Sequence, residues 1–158
     1  GFSFSSANSI NWGRLVPQIV YYFSAYVDAV AAGKISFGDK VNFVVPTGNF
    51  GDILAGYYAK LMGLPVERLL CASNSNKVLT DFINAGTYDK RREFYKTISP
   101  SMDILVSSNL ERLLYNVTDE NAALVANYMK RLNTEGVYQI DNDVLKRVQT
   151  EFSRGRKP

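Results

Sequence analysis

Between residues 47 and 52 the chain reads Thr-Gly-Asn-Phe-Gly-Asp, a turn bracketed by glycines that leads from a short apolar stretch into an amphipathic one. The chemistry open to such a turn is that of its backbone. The first N–H groups of a helix have no partner inside it, and together with the helix dipole they attract an anion. Gly48 and Gly51 carry no Cβ, so the chain can take positive φ there and let a phosphate approach the amides. The competing reading is a tight connection whose two glycines serve only to turn. A Walker loop is excluded: Gly51 and Gly56 have its separation, but Tyr57 and Tyr58 stand where Lys and Ser or Thr belong. No G-x-G-x-x-G occurs, so the dinucleotide fingerprint is missing as well. Asp52 poses a difficulty, because a carboxylate in a helix's first turn suits the dipole and repels a phosphate. Its side chain is expected to turn away, towards solvent or a cation, while its N–H faces the anion. If the carboxylate instead fills the anion site, the loop is a capped turn.

The elements that must position this loop follow from periodicity. Val41, Phe43, Val44 and Val45 form a β-branched and aromatic run, whereas Ile53, Leu54, Tyr57, Tyr58 and Leu61 recur at helical spacing. Gly63 and Pro65 stop that helix, and Val66 to Ala72 reads as a second buried strand. Strand, helix and strand make a crossover in a parallel sheet, where ligands sit at the carboxyl ends of the strands. Upstream, Leu15, Val16, Ile19, Val20, Phe23, Tyr26, Val27 and Val30 give the apolar stripe of a long helix ended by Gly33. Pro17 makes that helix either begin near Arg14 or bend early. Downstream, Asn76 is placed to cap a helix carrying Val78, Leu79, Phe82 and Ile83, and further helices are expected over Asn109 to Tyr115, Asp119 to Leu132 and Asp141 to Phe152. The expected class is α/β, a three-layer αβα unit with a small, mainly parallel sheet. One domain covers residues 1–152, and residues 153–158 are a tail without a packing signal.

Composition narrows the function classes. The 158 residues, 46% of them apolar, suffice for one sizeable core. No apolar run approaches a membrane span and no signal peptide opens the chain, so a cytoplasmic protein is expected. The absence of histidine removes Ser-His and Cys-His pairs and histidine metal sites. Cys71, the single cysteine, lies in an expected strand and reads as a buried small hydrophobe. Net charge is +3, but the basic residues are scattered, which argues against nucleic acid.

Four blocks, NSINWGRLVPQIVYYFSAY, VPTGNFGDILAGYYAKLMGLP, CASNSNKVLTDF and SPSMDILVSSNLERLLY, in this order and at these intervals, resemble threonine synthase. The likeness is strong over residues 6–115 and weaker beyond. It implies a pyridoxal 5′-phosphate enzyme of the tryptophan-synthase-β fold type (fold type II), a lyase that converts O-phospho-L-homoserine and water to L-threonine and phosphate. In that family the loop corresponding to Gly48, Asn49, Phe50, Gly51 and Asp52 holds the cofactor's phosphate. The family's Schiff-base lysine lies in a Phe-Lys-Asp context, and this chain contains none. Lys34, Lys40, Lys60 and Lys77 read as solvated helix or turn residues. The chain therefore resembles an interior fragment, inactive alone, whose partners are the remainder of the same polypeptide and the small-molecule substrate. Asn8, Ser9, Asn11 and Arg14, bunched before a helix, are candidates to contact the substrate phosphate or the cofactor, or else caps and a surface salt bridge. Asn74, Ser75 and Asn76 pose the same choice and lean to capping; Met102 and Asp103 are left open. The alternatives are a related enzyme for another phosphorylated substrate, and a non-enzymatic α/β module. Apolar surface left bare on the fragment is expected to drive self-association.

Overall fold

The computed structural model describes residue 3 and residues 8–154. A 20-residue helix, α1 (Trp12–Ala31), opens it, with the Asn11 side chain accepting a hydrogen bond from the Gly13 N–H at 2.8 Å. Of the two expected alternatives the helix takes the first, beginning two residues before Arg14 and continuing through Pro17. Pro17 lies in its second turn, so only the Gly13 carbonyl loses its usual donor. Its buried line is Leu15, Tyr22 and Tyr26, with Ile19 partly covered, while Val16, Val20 and Val27 of the expected stripe are exposed. Tyr26 is buried as expected and Phe23 and Val30 are partly covered; Tyr22 joins the buried line from outside the expected stripe, and both tyrosine hydroxyls find partners, Tyr22 donating to the Asp52 carbonyl and Tyr26 accepting from the Gly38 N–H.

The expected crossover forms. β1 (Val41–Pro46) and β2 (Val66–Ala72) pair in parallel, and α2 (Gly51–Leu61) joins them. Phe43 lies opposite Leu69 and Val45 opposite Cys71. Gly56 lets α1 and α2 close on this sheet, since a Cβ there would stand 2.6 Å from the Tyr22 ring and 2.9 Å from Leu69. The chain is thus α/β with a small parallel sheet. The side chains of Val41, Phe43 and Val45 are covered, whereas those of Asn42, Val44 and Pro46 alternate to a face that is exposed.

Beyond β2 come α3 (Val78–Ala85), β3 (Thr87–Asp89), a single 3-10 turn (Pro100–Met102), α4 (Leu110–Val117), α5 (Ala122–Thr134), β4 (Val137–Gln139) and α6 (Asn142–Glu151). β3 and β4 pair antiparallel, which stacks the Tyr88 and Tyr138 rings at 5.5 Å. The end of the chain departs from expectation. Phe152–Arg154 is a strand, β5, parallel to the free side of β2, and it makes β2 the central strand. Phe152 is buried between Phe50 and Tyr57, with ring centroids at 5.3 and 5.8 Å. Residues 155–158 of the expected tail lie outside the described residues. Phe152→Ala is expected to lower the unfolding free energy by about 3–5 kcal/mol, measured by urea denaturation, because a ring with almost no exposure leaves a cavity.

Candidate functional site

Because β1 and β2 run in parallel, their carboxyl ends open on the same side. Thr47 still belongs to the sheet: its N–H donates to the Ala72 carbonyl at 2.8 Å and its hydroxyl to the Val45 carbonyl at 2.7 Å. The chain then leaves the sheet as Gly48–Phe50 and enters α2 at Gly51. Among the described residues no acceptor takes the amides of Gly48, Asn49, Phe50, Gly51 or Asp52. The first intrahelical bond of this turn is Leu54 N–H to the Phe50 carbonyl. A row of undonated amides at a helix N-terminus is an anion site by its electrostatics.

Positive φ falls on neither expected glycine. It falls on Phe50, at 63°, whose ring is buried. The glycines answer to space instead. A Cβ on Gly48 would stand 3.1 Å from both the Ser101 carbonyl and Ile104, and one on Gly51 would stand 3.3 Å from the Asn109 amide nitrogen.

A cavity of about 490 Å³ opens on the loop. Residues Pro46 to Ile53 form its floor, the start of α1 supplies Arg14 and Gln18, Asn8 and Ser9 come from the segment before it, and Pro100, Ser101, Met102 and Ile104 close the other side. Asn8, Ser9 and Arg14 are therefore gathered with the loop. Asn11 is not; it caps α1. No lysine lines the cavity among the described residues. Lys60, expected to be solvated, is partly buried in an ion pair with Glu151 at 2.6 Å. A larger groove of about 810 Å³, between Trp12 of α1, Tyr58 of α2, Tyr115 of α4 and Met129 of α5, is lined by none of the loop residues. Among the described residues no helix is long and apolar enough to cross a membrane, and no group of three acidic or cysteine side chains is placed to hold a metal.

Asp52 turns neither to solvent nor to a cation. Its carboxylate accepts from the Tyr22 hydroxyl at 3.2 Å, and burial holds its pKa above the usual carboxylate value. The loop amides are left free of it.

The Ser73–Asn76 run does not cap α3, whose N-cap is Lys77. Asn74 and Asn76 donate to Asp103 at 2.7 and 3.0 Å, and Thr97 donates to the same carboxylate through its N–H and its hydroxyl, each at 2.8 Å. Asn76 also exchanges two hydrogen bonds with the Tyr95 backbone. Asp103 thus ties the segment that crosses Gly48 to the end of β2. The Thr97 N–H bond, foremost among these donors, holds its pKa below the ordinary value. Sequence reasoning did not assign Ser107, Asn109, Gln18 or Ile104, although Asn109 is fully buried and polar. Their signal is tertiary: they lie about sixty residues from the loop, or across a helix from it.

What fold and site define is an α/β unit with an anion-receptive glycine loop at the ends of its parallel strands. The chain is a homologue of the threonine synthases. It is 44% identical to threonine synthase of Saccharomyces cerevisiae over 160 residues, covering 96% of this chain and 30% of that protein. It is 52% identical to threonine synthase-like 1 of Homo sapiens over 153 residues, covering 96% and 21%. The solved structure of threonine synthase with bound pyridoxal phosphate from Brucella melitensis superposes with a TM-score of 0.87 at 47% identity, covering 96% of this chain and 32% of that one. The chain therefore spans about a fifth to a third of these relatives. No protein-family model matches it.

Two titrations are expected. Asp52, with a raised folded pKa, binds its proton more tightly folded than unfolded, so its contribution is greatest at low pH and is lost as pH rises through the folded value. Asp52→Asn should raise stability at pH 7, with the gain shrinking as pH falls below the ordinary carboxylate pKa, as read by urea denaturation. Asp103, with a lowered pKa, does the reverse: its hold on Thr97 is complete above the ordinary carboxylate pKa and is lost as pH falls through the lowered one. The protection factor of the Thr97 amide, measured by hydrogen exchange against the intrinsic rate at each pH, should fall over that window, and at neutral pH in Asp103→Asn.

Proposed function

We propose that this chain is the phosphate-binding wall of a pyridoxal 5′-phosphate enzyme, threonine synthase, which converts O-phospho-L-homoserine and water to L-threonine and phosphate in the cytoplasm. The observation that carries the reading is the row of undonated amides from Gly48 to Asp52, set in a cavity beside Asn8, Ser9 and Arg14. The residues present fit the cofactor's phosphate: amides donate to its oxygens, and a Cβ on Gly48 or Gly51 would press on the segments that flank them. When bound, pyridoxal phosphate supplies an electron sink for carbanions. This chain's residues bind and orient: Gly48, Asn49, Phe50, Gly51 and Asp52 hold the cofactor phosphate through N–H groups, and Asn8, Ser9 and Arg14 face the substrate. Asn11 contributes by capping the helix that carries Arg14. Residues 1–152 act as one domain, and the lysine that binds the cofactor covalently belongs to the remainder of the polypeptide.

A second reading has its own support. The human relative at 52% identity is named threonine synthase-like 1, a name that leaves the substrate unspecified, and in the second reading the same cofactor loop serves another phosphorylated substrate. The two readings share the cradle and part at the substrate.

Gly51→Val in the full-length protein separates the cradle from a plain turn. Its branched side chain would crowd Asn109 and the anion, so retention of pyridoxal phosphate in equilibrium dialysis should fall at least about tenfold. Undiminished retention would sink the cradle. Threonine release from O-phospho-L-homoserine by the unaltered full-length protein then decides between the two substrates, and the isolated 158 residues should release none.

A further inference from the structure

The amides of the loop face an anion only if something fixes the planes of its peptides, and helix geometry begins too late to do so. Gly48–Phe50 precede α2 and make no ladder bonds. Two side chains from the segment before α4 take the loop's carbonyls instead. The Ser107 hydroxyl donates to the Gly48 carbonyl at 2.7 Å. Asn109 donates to the Asn49 carbonyl twice, through its N–H at 3.1 Å and its side-chain amide at 3.0 Å.

All peptide bonds here are trans, so each C=O and the N–H that follows it point in opposite directions. Holding the carbonyls of Gly48 and Asn49 on one side therefore turns the N–H groups of Asn49 and Phe50 to the other. We infer that Ser107 and Asn109 are positioning residues for the cofactor phosphate, which act by aiming these two amides and touch no ligand themselves. The inference rests on the phosphate-cradle reading above.

The two side chains are themselves held in one orientation. Ser107 is buried, and its N–H donates to the Tyr88 hydroxyl, which in turn donates to the Leu105 carbonyl. Arg112 donates to the Asn109 side-chain oxygen and to the Ile10 carbonyl. A guanidinium can only donate, so the oxygen of the Asn109 amide must face it and the nitrogen must face the loop. That nitrogen reaches the Ser9 carbonyl at 3.0 Å as well, so one buried amide registers Ser9 against Asn49. Phe50 depends on this arrangement too, because the strained left-handed turn would relax by rotating the peptide that Asn109 holds.

The test compares binding of pyridoxal 5′-phosphate with binding of pyridoxal, which lacks the phosphate, in the full-length protein. The unaltered protein should prefer the phosphorylated ligand. Ser107→Ala should cut that preference about tenfold, and Ser107→Thr, which keeps a hydroxyl, should restore it. Asn109→Leu, neutral and of similar volume, should cut it likewise, with affinity for pyridoxal unchanged in every variant. A preference that survives both Ser107→Ala and Asn109→Leu overturns the inference, as does an equal loss for the two ligands, which marks a general structural role. If Asn109→Leu does not fold, Ser107→Ala against Ser107→Thr decides alone. Absence of any preference in the unaltered protein overturns the cradle itself, a different failure with a different signature.

Discussion

Parallel pairing of β1 with β2 is the constraint from which the site follows. An antiparallel pair would place the exits after Pro46 and Ala72 at opposite ends of the sheet. In parallel register, with Pro46 opposite Ala72, the two exits lie side by side. The loop at 47–50 and the run at 73–76 can then be bridged by one further segment, residues 95–109. That segment gives Asp103 to the second exit and Ser107 and Asn109 to the first. A crossover helix between the strands is what parallel pairing requires, and the N-terminus of that helix is where the proposed anion site falls.

The loop's strained residue is sustained from the far end of the chain. A left-handed conformation at Phe50 costs about 1–2 kcal/mol. Burial of its ring is worth about 1.5–3 kcal/mol, and the ring is covered by Phe152 of β5. Burial therefore offsets the strain, and Phe152 of β5 supplies part of the cover, at a ring-centroid distance of 5.3 Å. Lys60 and Glu151 reinforce this, joining the end of α2 to the residue before Phe152. The third strand, which does not line the loop cavity, thus helps to hold the loop through Phe152.

Long periodic elements were legible because their patterns are local. β1, β2, α2 and α3 follow from apolar spacing and glycine stops, and the segment order from the four blocks. What periodicity cannot register is a strand of three residues: β3, β4 and β5 each bury one aromatic, Tyr88, Tyr138 and Phe152, too few to define a period. The stripe of the long helix is legible at Leu15, Ile19, Phe23, Tyr26 and Val30; what it lacks is Tyr22, whose burial depends on a hydroxyl partner in α2, and it counts Val16, Val20 and Val27, which are exposed. The glycines were located but explained by torsion where the cause is contact, and contact with Ser101, Ile104 and Asn109 has no local trace. Asn74 and Asn76 look like caps from their neighbours alone and serve a carboxylate 27 to 29 residues away.

Asp52 shows how the loop accommodates an acid beside the proposed anion site. Left to the helix N-terminus, its carboxylate would compete for the same amides, since it carries the charge they attract. Tyr22 removes it from the contest by donating at once to the Asp52 carbonyl and to its side chain, which draws the acid towards α1. This contact exists because Gly56, one turn further along α2, admits the Tyr22 ring at a distance no Cβ would allow. The glycine that gives the sequence its false likeness to a Walker loop thus faces Tyr22 and Leu69 and does not line the loop cavity. By letting α1 approach, it keeps the cradle's amides free.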